Sequence, residues 1–94
     1  MALVRVVEFD EVGSDRAAEI KRQVEQEDPP GDMPATEIVV LHDADQGKAL
    51  VAIFFDSEDD YARGDEILNA MSADDTPGRR TGVTKYEVAA RRSL

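Results

Sequence analysis

His42 is the single histidine of the chain, and the imidazole is the one side chain whose unperturbed charge change falls near neutral pH. It stands beside Asp43, with Asp45 close behind (VLHDADQG), so the pattern offers a general base or part of a metal site. A metal centre asks for more, because one imidazole and two turn carboxylates make an incomplete ligand set. The stretch Asp43-Ala44-Asp45-Gln46-Gly47 also lacks the third oxygen ligand and distal glutamate of a calcium loop, and no metal is expected. If His42 and Asp43 end a strand, their side chains point to opposite faces and cannot pair as acid and base. The plainer reading makes His42 a strand-end residue satisfied by the adjacent turn. Arg5 interrupts an apolar strand, on one face with Leu3, Val7 and Phe9, where an unpaired charge is costly. A subunit-spanning ion pair or a solvent-reaching side chain is the favoured account, and a cavity wall is the functional one; Glu8 poses the same question on the other face. Tyr86 in a strand and Tyr61 at a helix start could each set a hydroxyl at a cavity edge, although tyrosines there usually serve as amphipathic core-edge residues. His42, Arg5 and Tyr86 are the catalytic candidates. No cofactor pattern accompanies them, and without cysteine there is no thiol nucleophile or disulfide framework.

These residues must be held by elements that the hydrophobic pattern defines. Ala2 to Phe9 (ALVRVVEF) is rich in β-branched residues and reads as a strand. From Asp15 to Glu27 the apolar Ala17, Ile20 and Val24 fall at helical spacing, and Asp28-Pro29-Pro30-Gly31-Asp32 must end that helix. Thr36–His42 and Lys48–Phe55 are strands around a hairpin loop at Asp43–Gly47. Ser57 is a good N-cap, with Glu58, Asp59 and Asp60 in the favourable first turn. Tyr61, Gly64, Leu68 and Met71 form the apolar face of that second helix. Ala73–Gly82 reads as a loop and Val83–Ala90 as the last strand.

The order β-α-β-β-α-β describes a ferredoxin-like α+β domain, a four-stranded antiparallel sheet with two helices on one face. The crossover rule is taken to set the first and third strands parallel at the sheet centre. The third strand is apolar on both sides, Leu50, Ala52 and Phe54 on one and Val51, Ile53 and Phe55 on the other. Two helices cover only one side, and an uncovered apolar face marks an interface. A homodimer packed sheet to sheet is therefore expected; the alternative covers are the C-terminal tail or the Asp28–Ala35 loop.

Composition narrows the partners. The chain has 94 residues, enough for one domain spanning 1–94, and its net charge is −10. Residues 1–72 carry 18 acids and 6 bases, while residues 73–94 carry 3 acids and 5 bases. That balance disfavours nucleic acid and anionic membranes. No apolar run reaches the roughly 20 residues of a membrane span, and no basic-then-apolar start marks a signal peptide. A cytoplasmic location is expected. Arg79 and Arg80 are expected near Asp10, Glu11 and Asp56–Asp60, and Arg91 and Arg92 near the Asp43–Asp45 hairpin, each pair neutralising local acids.

The element order, the length and the two-sided strand GKALVAIFFDSEDD resemble the dimeric α+β-barrel superfamily, and among its branches the antibiotic-biosynthesis-monooxygenase-like proteins. VVLHDADQGKAL and TPGRRTGVTKYEV are similar to segments of small bacterial proteins of this type. The resemblance implies a homodimer with facing sheets and a cavity between sheet and helices in each subunit. The superfamily holds cofactor-free oxygenases, haem-degrading enzymes, lactone isomerases and proteins without an assigned reaction, so fold alone selects no function. The chain has no tryptophan, so the Trp, Asn and His set of the haem-degrading branch does not carry over. Its one asparagine, Asn69, falls late in the second helix, near the solvent edge. Three functions remain: a monooxygenase-like enzyme needing no cofactor and acting on a small, neutral or cationic apolar substrate, a non-catalytic ligand-binding or regulatory dimer, and an acidic interaction module. Whether the chain is an enzyme stays open.

Overall fold

The apolar stretches condense into strand β1 (Leu3–Asp10), helix α1 (Ser14–Gln26), strands β2 (Glu37–Asp43) and β3 (Lys48–Phe55), helix α2 (Glu58–Asn69) and strand β4 (Arg79–Glu87). The computed structural model describes residues 2–26, 33–70 and 79–94. The helix-breaking segment Asp28–Asp32, the face residue Met71 and the loop 73–78 lie outside the described residues. Local chemistry accounts for the elements on either side. Ser57 is extended at the α2 N-cap and its hydroxyl accepts from the Asp60 N–H at 3.2 Å. In the β2–β3 hairpin one Asp43 carboxylate oxygen accepts from Asp45 N at 3.1 Å and Gln46 N at 3.2 Å. Gly47 closes that turn at φ 65, a left-handed conformation that costs glycine nothing.

Strand β4 differs from expectation, running from Arg79 to Glu87 instead of Val83 to Ala90. The turn-like sequence around Arg79–Gly82 is drawn into the sheet because Asp10, Phe9 and Glu8 offer ladder partners, with a register shift between Glu8 and Phe9. Backbone pairing outweighs local composition there.

The strand order is β2-β3-β1-β4, antiparallel at every pairing, which is the ferredoxin-like α+β arrangement. The expectation of parallel β1 and β3 is corrected: they are antiparallel neighbours, with Leu3 opposite Phe55 and Phe9 opposite Ala49. The crossover through α1 makes β1 and β2 parallel, and β3, which returns from β2 through a hairpin, is inserted between them. It must oppose both.

Alternation then sorts the side chains. Leu3, Arg5, Val7 and Phe9 share the helix-covered face with Ala49, Val51, Ile53 and Phe55, and with Ile38, Val40 and His42. Phe55 is fully buried and Val12, in the β1–α1 connection, nearly so. Phe55, Leu3, Ile53 and Tyr61 make one cluster, and Val7, Phe9, Val12 and Ala49 another. The opposite face carries Val4, Val6, Val39, Leu50, Ala52, Phe54, Leu41 and Tyr86. Leu41 and Tyr86 are exposed there, at 54% and 55%. No helix crosses that face among the described residues. The C-terminal tail touches one corner, where Arg91 lies over the Phe54 ring at 5.1 Å and pairs with Glu37.

The two helices sit unequally. Helix α2 lies against β1 and β3, while α1 lies against β2. The close contact of α2 depends on Gly64, where a Cβ would overlap the Phe55 ring, and Tyr61 one turn earlier meets that ring edge-on at 5.5 Å and 69°. Gly64→Ala is expected to lower unfolding free energy in urea by about 1–3 kcal/mol, the usual cost of overpacking a core. Gly13→Ala, at a position with nothing within 4 Å, serves as the control and shows no comparable loss.

Candidate functional site

Because α1 stands over the sheet edge, a cleft of about 480 Å³ opens between the helix and strands β2 and β3. Val12, Ala17, Ile20, Val24, Ile38 and Val40 give it apolar walls, Lys21 and Glu25 lie on the α1 side, and His42 and Ala49 complete the lining. Inward-facing residues of α1 are small or β-branched, and Ile20 alone among them is buried. They are too short to close the gap. A second concavity of about 400 Å³ lies at the β1–β3 end of the sheet, among Glu8, Leu41, Asp43, Lys48, Leu50 and Thr81, and His42 lines it as well.

His42 stands opposite Ala49 at the end of β2, and its Nε2 is 3.1 Å from the Val12 carbonyl oxygen. A carbonyl only accepts, so Nε2 carries the proton and donates. The bond has a structural task. Glu11 adopts φ 61, a conformation costing a non-glycine residue about 1–2 kcal/mol, and thereby turns the chain so that Val12 enters the core. Val12 is held on both sides, its N–H donating to Gly47 O at 2.8 Å and its carbonyl taken by His42. Asp43 points the other way and caps its own turn, so residues 42 and 43 are not joined.

Arg5 is 3% exposed on the helix-covered face. Its Nε donates to Asp65 Oδ1 at 2.8 Å and its terminal nitrogen to Asn69 Oδ1 at 3.1 Å, an ion pair within the chain in place of the expected subunit-spanning one. Asn69, in the last turn of α2, also receives both terminal nitrogens of Arg80 at 3.3 Å and donates to Asp65 Oδ2 at 3.3 Å. Asn69 is exposed, as its position in the sequence implies, yet it joins the network around the buried guanidinium. Nothing near Arg5 in the sequence points to Asp65 or Asn69 as its partners. Their spacing of four places both on one helix face, but which strand residue that face meets depends on the fold. Helix α2 has no basic residue in its last turn, and the arginines supply from the sheet the cations that a helix C-terminus favours.

The three catalytic candidates do not converge. His42 lines the cleft, Arg5 lies beneath α2, and Tyr86, opposite Val4, lies on the uncovered face. Tyr61 is the tyrosine drawn into the charged network. Its hydroxyl is pushed above the usual 10.0 by burial first and by the Asp65 charge second, partly offset by Arg5 and Lys85. Lys85 sits 4.8 Å over the Tyr61 ring and pairs with Glu58, whose hydrogen bond raises the ammonium above 10.5.

The other charges correct two expectations. Arg79 does reach Asp10, at 3.6 Å, but Arg80 goes to Asn69, and Lys85 is the residue that meets the Asp56–Asp60 segment. Arg91 pairs with Glu37, at the opposite end of the sheet from the Asp43–Asp45 hairpin. Both follow from antiparallel β1 and β3, whose C-terminal ends leave the sheet on opposite sides. Among the described residues no group of three His, Asp or Glu side chains could hold a metal ion, and no helix is long and apolar enough to cross a membrane. Compared with family models, curated proteins and solved structures, the chain matches none.

Removing the carboxylate of Asp65 leaves Arg5 charged in its buried place. Asp65→Ala is expected to cost about 1–3 kcal/mol in urea unfolding, toward the lower end because the Asp65 side chain is 38% exposed. Adding Arg5→Met should restore part of that loss, since a buried pair can be exchanged for apolar side chains with little penalty. Tyr61 and Lys85 both have raised folded-state values, so the stability they contribute is complete below pH 10.0 and is lost as pH rises through the folded values. Melting temperature should therefore fall above about pH 10, and Tyr61→Phe should make that fall shallower.

Proposed function

We propose that this chain is a homodimeric small-molecule-binding protein of the dimeric α+β-barrel kind, in which each copy receives one small apolar ligand in the cleft between α1 and the sheet. The observation that carries the reading is the cleft itself. Its 480 Å³ lies within the roughly 300–1,000 Å³ of ordinary ligand sites, and an apolar cavity of about 150 Å³ already admits benzene. The dimer is supported by the sheet face that no helix covers among the described residues, with Leu41 and Tyr86 exposed beside Val39, Leu50 and Phe54. A second copy is the cover that makes the same patch serve twice. A cytoplasmic location accords with a cysteine-free, acidic chain.

Binding without catalysis is the favoured form, because Arg5 is engaged by Asp65 and Asn69 while Tyr86 is on the far face from His42. One observation favours a catalytic form, a cofactor-free, monooxygenase-like reaction: His42 is among the residues that line the cleft.

Light scattering at micromolar concentration is expected to give twice the chain mass of 10.3 kDa, and Leu50→Arg, which sets a charge on the uncovered face, to give the single-chain mass. A wild-type mass of one chain overturns the dimer. Toluene is expected to raise the melting temperature in a concentration-dependent way, as any ligand of the folded state does. No shift up to its solubility limit overturns the cleft as a binding site.

A further inference from the structure

The hydrogen bond that holds Val12 also decides what the cleft can recognise. The Val12 carbonyl has lone pairs and no proton to give, so the His42 Nε2 at 3.1 Å must be the protonated nitrogen. In a neutral imidazole the other nitrogen, Nδ1, then carries a free lone pair and can only accept. No hydrogen bond to Nδ1 is made by any described residue, His42 is exposed, and it is among the residues lining both the cleft and the second concavity. The remaining described lining is apolar except for Lys21 and Glu25, one of each sign and one helical turn apart on α1.

Resting on the ligand-binding reading above, we propose that the cleft selects an apolar molecule ending in a hydroxyl or N–H donor, such as a phenol or an alcohol, with His42 Nδ1 as its acceptor. The apolar walls take the body of the ligand and Nδ1 orients its polar end. A carboxylate of the same shape brings a lone pair against a lone pair within a chain of net charge −10, while the Lys21 and Glu25 charges on the cleft wall offset one another. It is excluded on charge rather than size. The backbone carbonyl of Val12 is thus a positioning group: it fixes the tautomer and does not touch the ligand.

Toluene, p-cresol and p-toluate differ only at one end and test the proposal at pH 8. Affinities are read by titration of ligand-induced chemical shifts, and the state of the single histidine by the ¹⁵N resonances of its ring. The expected result is p-cresol about tenfold tighter than toluene, the scale of one net hydrogen bond, with p-toluate weakest. The Nδ1 resonance should lie in the unprotonated range and move with p-cresol but not with toluene. His42→Phe should bring p-cresol to the toluene affinity while leaving toluene bound. If that variant fails to fold, the ring resonances of the wild type decide alone. Equal affinity for toluene and p-cresol overturns the donor selection and leaves the cleft a binding site. Binding of neither overturns the ligand-binding reading and this inference with it. A proton found on Nδ1, or p-toluate binding as tightly as p-cresol, overturns the inference whatever the affinity for toluene.

Discussion

The distance at which α2 lies on the sheet governs most of what else the molecule does. Gly64 lets the helix backbone come onto the Phe55 ring, and Tyr61 meets that ring by its edge. With the helix at this depth, Asp65 and Asn69 arrive over Arg5 and turn a buried cation into a satisfied one. Helix α1 has no glycine at its contact and only Ile20 fully inward, so it stands off over the edge strand. The same sheet face is therefore closed and charged under one helix, open and apolar under the other. That difference sets the cleft apart from the core.

A second constraint is topological. Inserting β3 between β1 and β2 makes every neighbour antiparallel and decides which chain ends meet. Arg79 comes to Asp10, Lys85 to Glu58, and Arg91 to Glu37 and Phe54. Exposed pairs of this kind contribute about 0–1 kcal/mol each, so they orient the tail and β4 more than they hold the fold. Eleven bases are distributed among 21 acids, and among the described residues most of the negative charge is carried on helices and turns. The apolar sheet face is comparatively free of it, with Glu8 as its central exception.

The elements were legible because their signals are local. Alternating Val, Ile and Phe mark β1 and β3, Ser57 and its acidic followers start α2, and Asp43 with Gly47 shapes the hairpin. Strand β4 was legible only in part, since Arg79–Gly82 has the composition of a loop and becomes strand through partners in β1. The direction of β3 relative to β1 is not legible locally, nor are the destinations of Arg80 and Arg91, because which strand is inserted where is a property of the whole sheet. For the site, the opposed faces of His42 and Asp43 could be read from a period of two. The Val12 carbonyl, thirty positions away in the chain, left no trace near His42 in the sequence.

By itself the sequence determined a short α+β chain with strands of period two, helices of period 3.6, no thiol chemistry, one imidazole and a strong negative charge. These depend on residue type and on neighbours a few positions away, where sterics and side-chain chemistry act directly. Only the tertiary structure decided that Arg5 is neutralised within the chain, that Tyr86 lies on the far face from the other two candidates, and that His42 donates through Nε2. Each of these is a contact between segments distant in sequence, created when α2 settles to the depth Gly64 permits and when β3 enters between β1 and β2. The cleft belongs to the same class, since it is the space left where α1 does not follow.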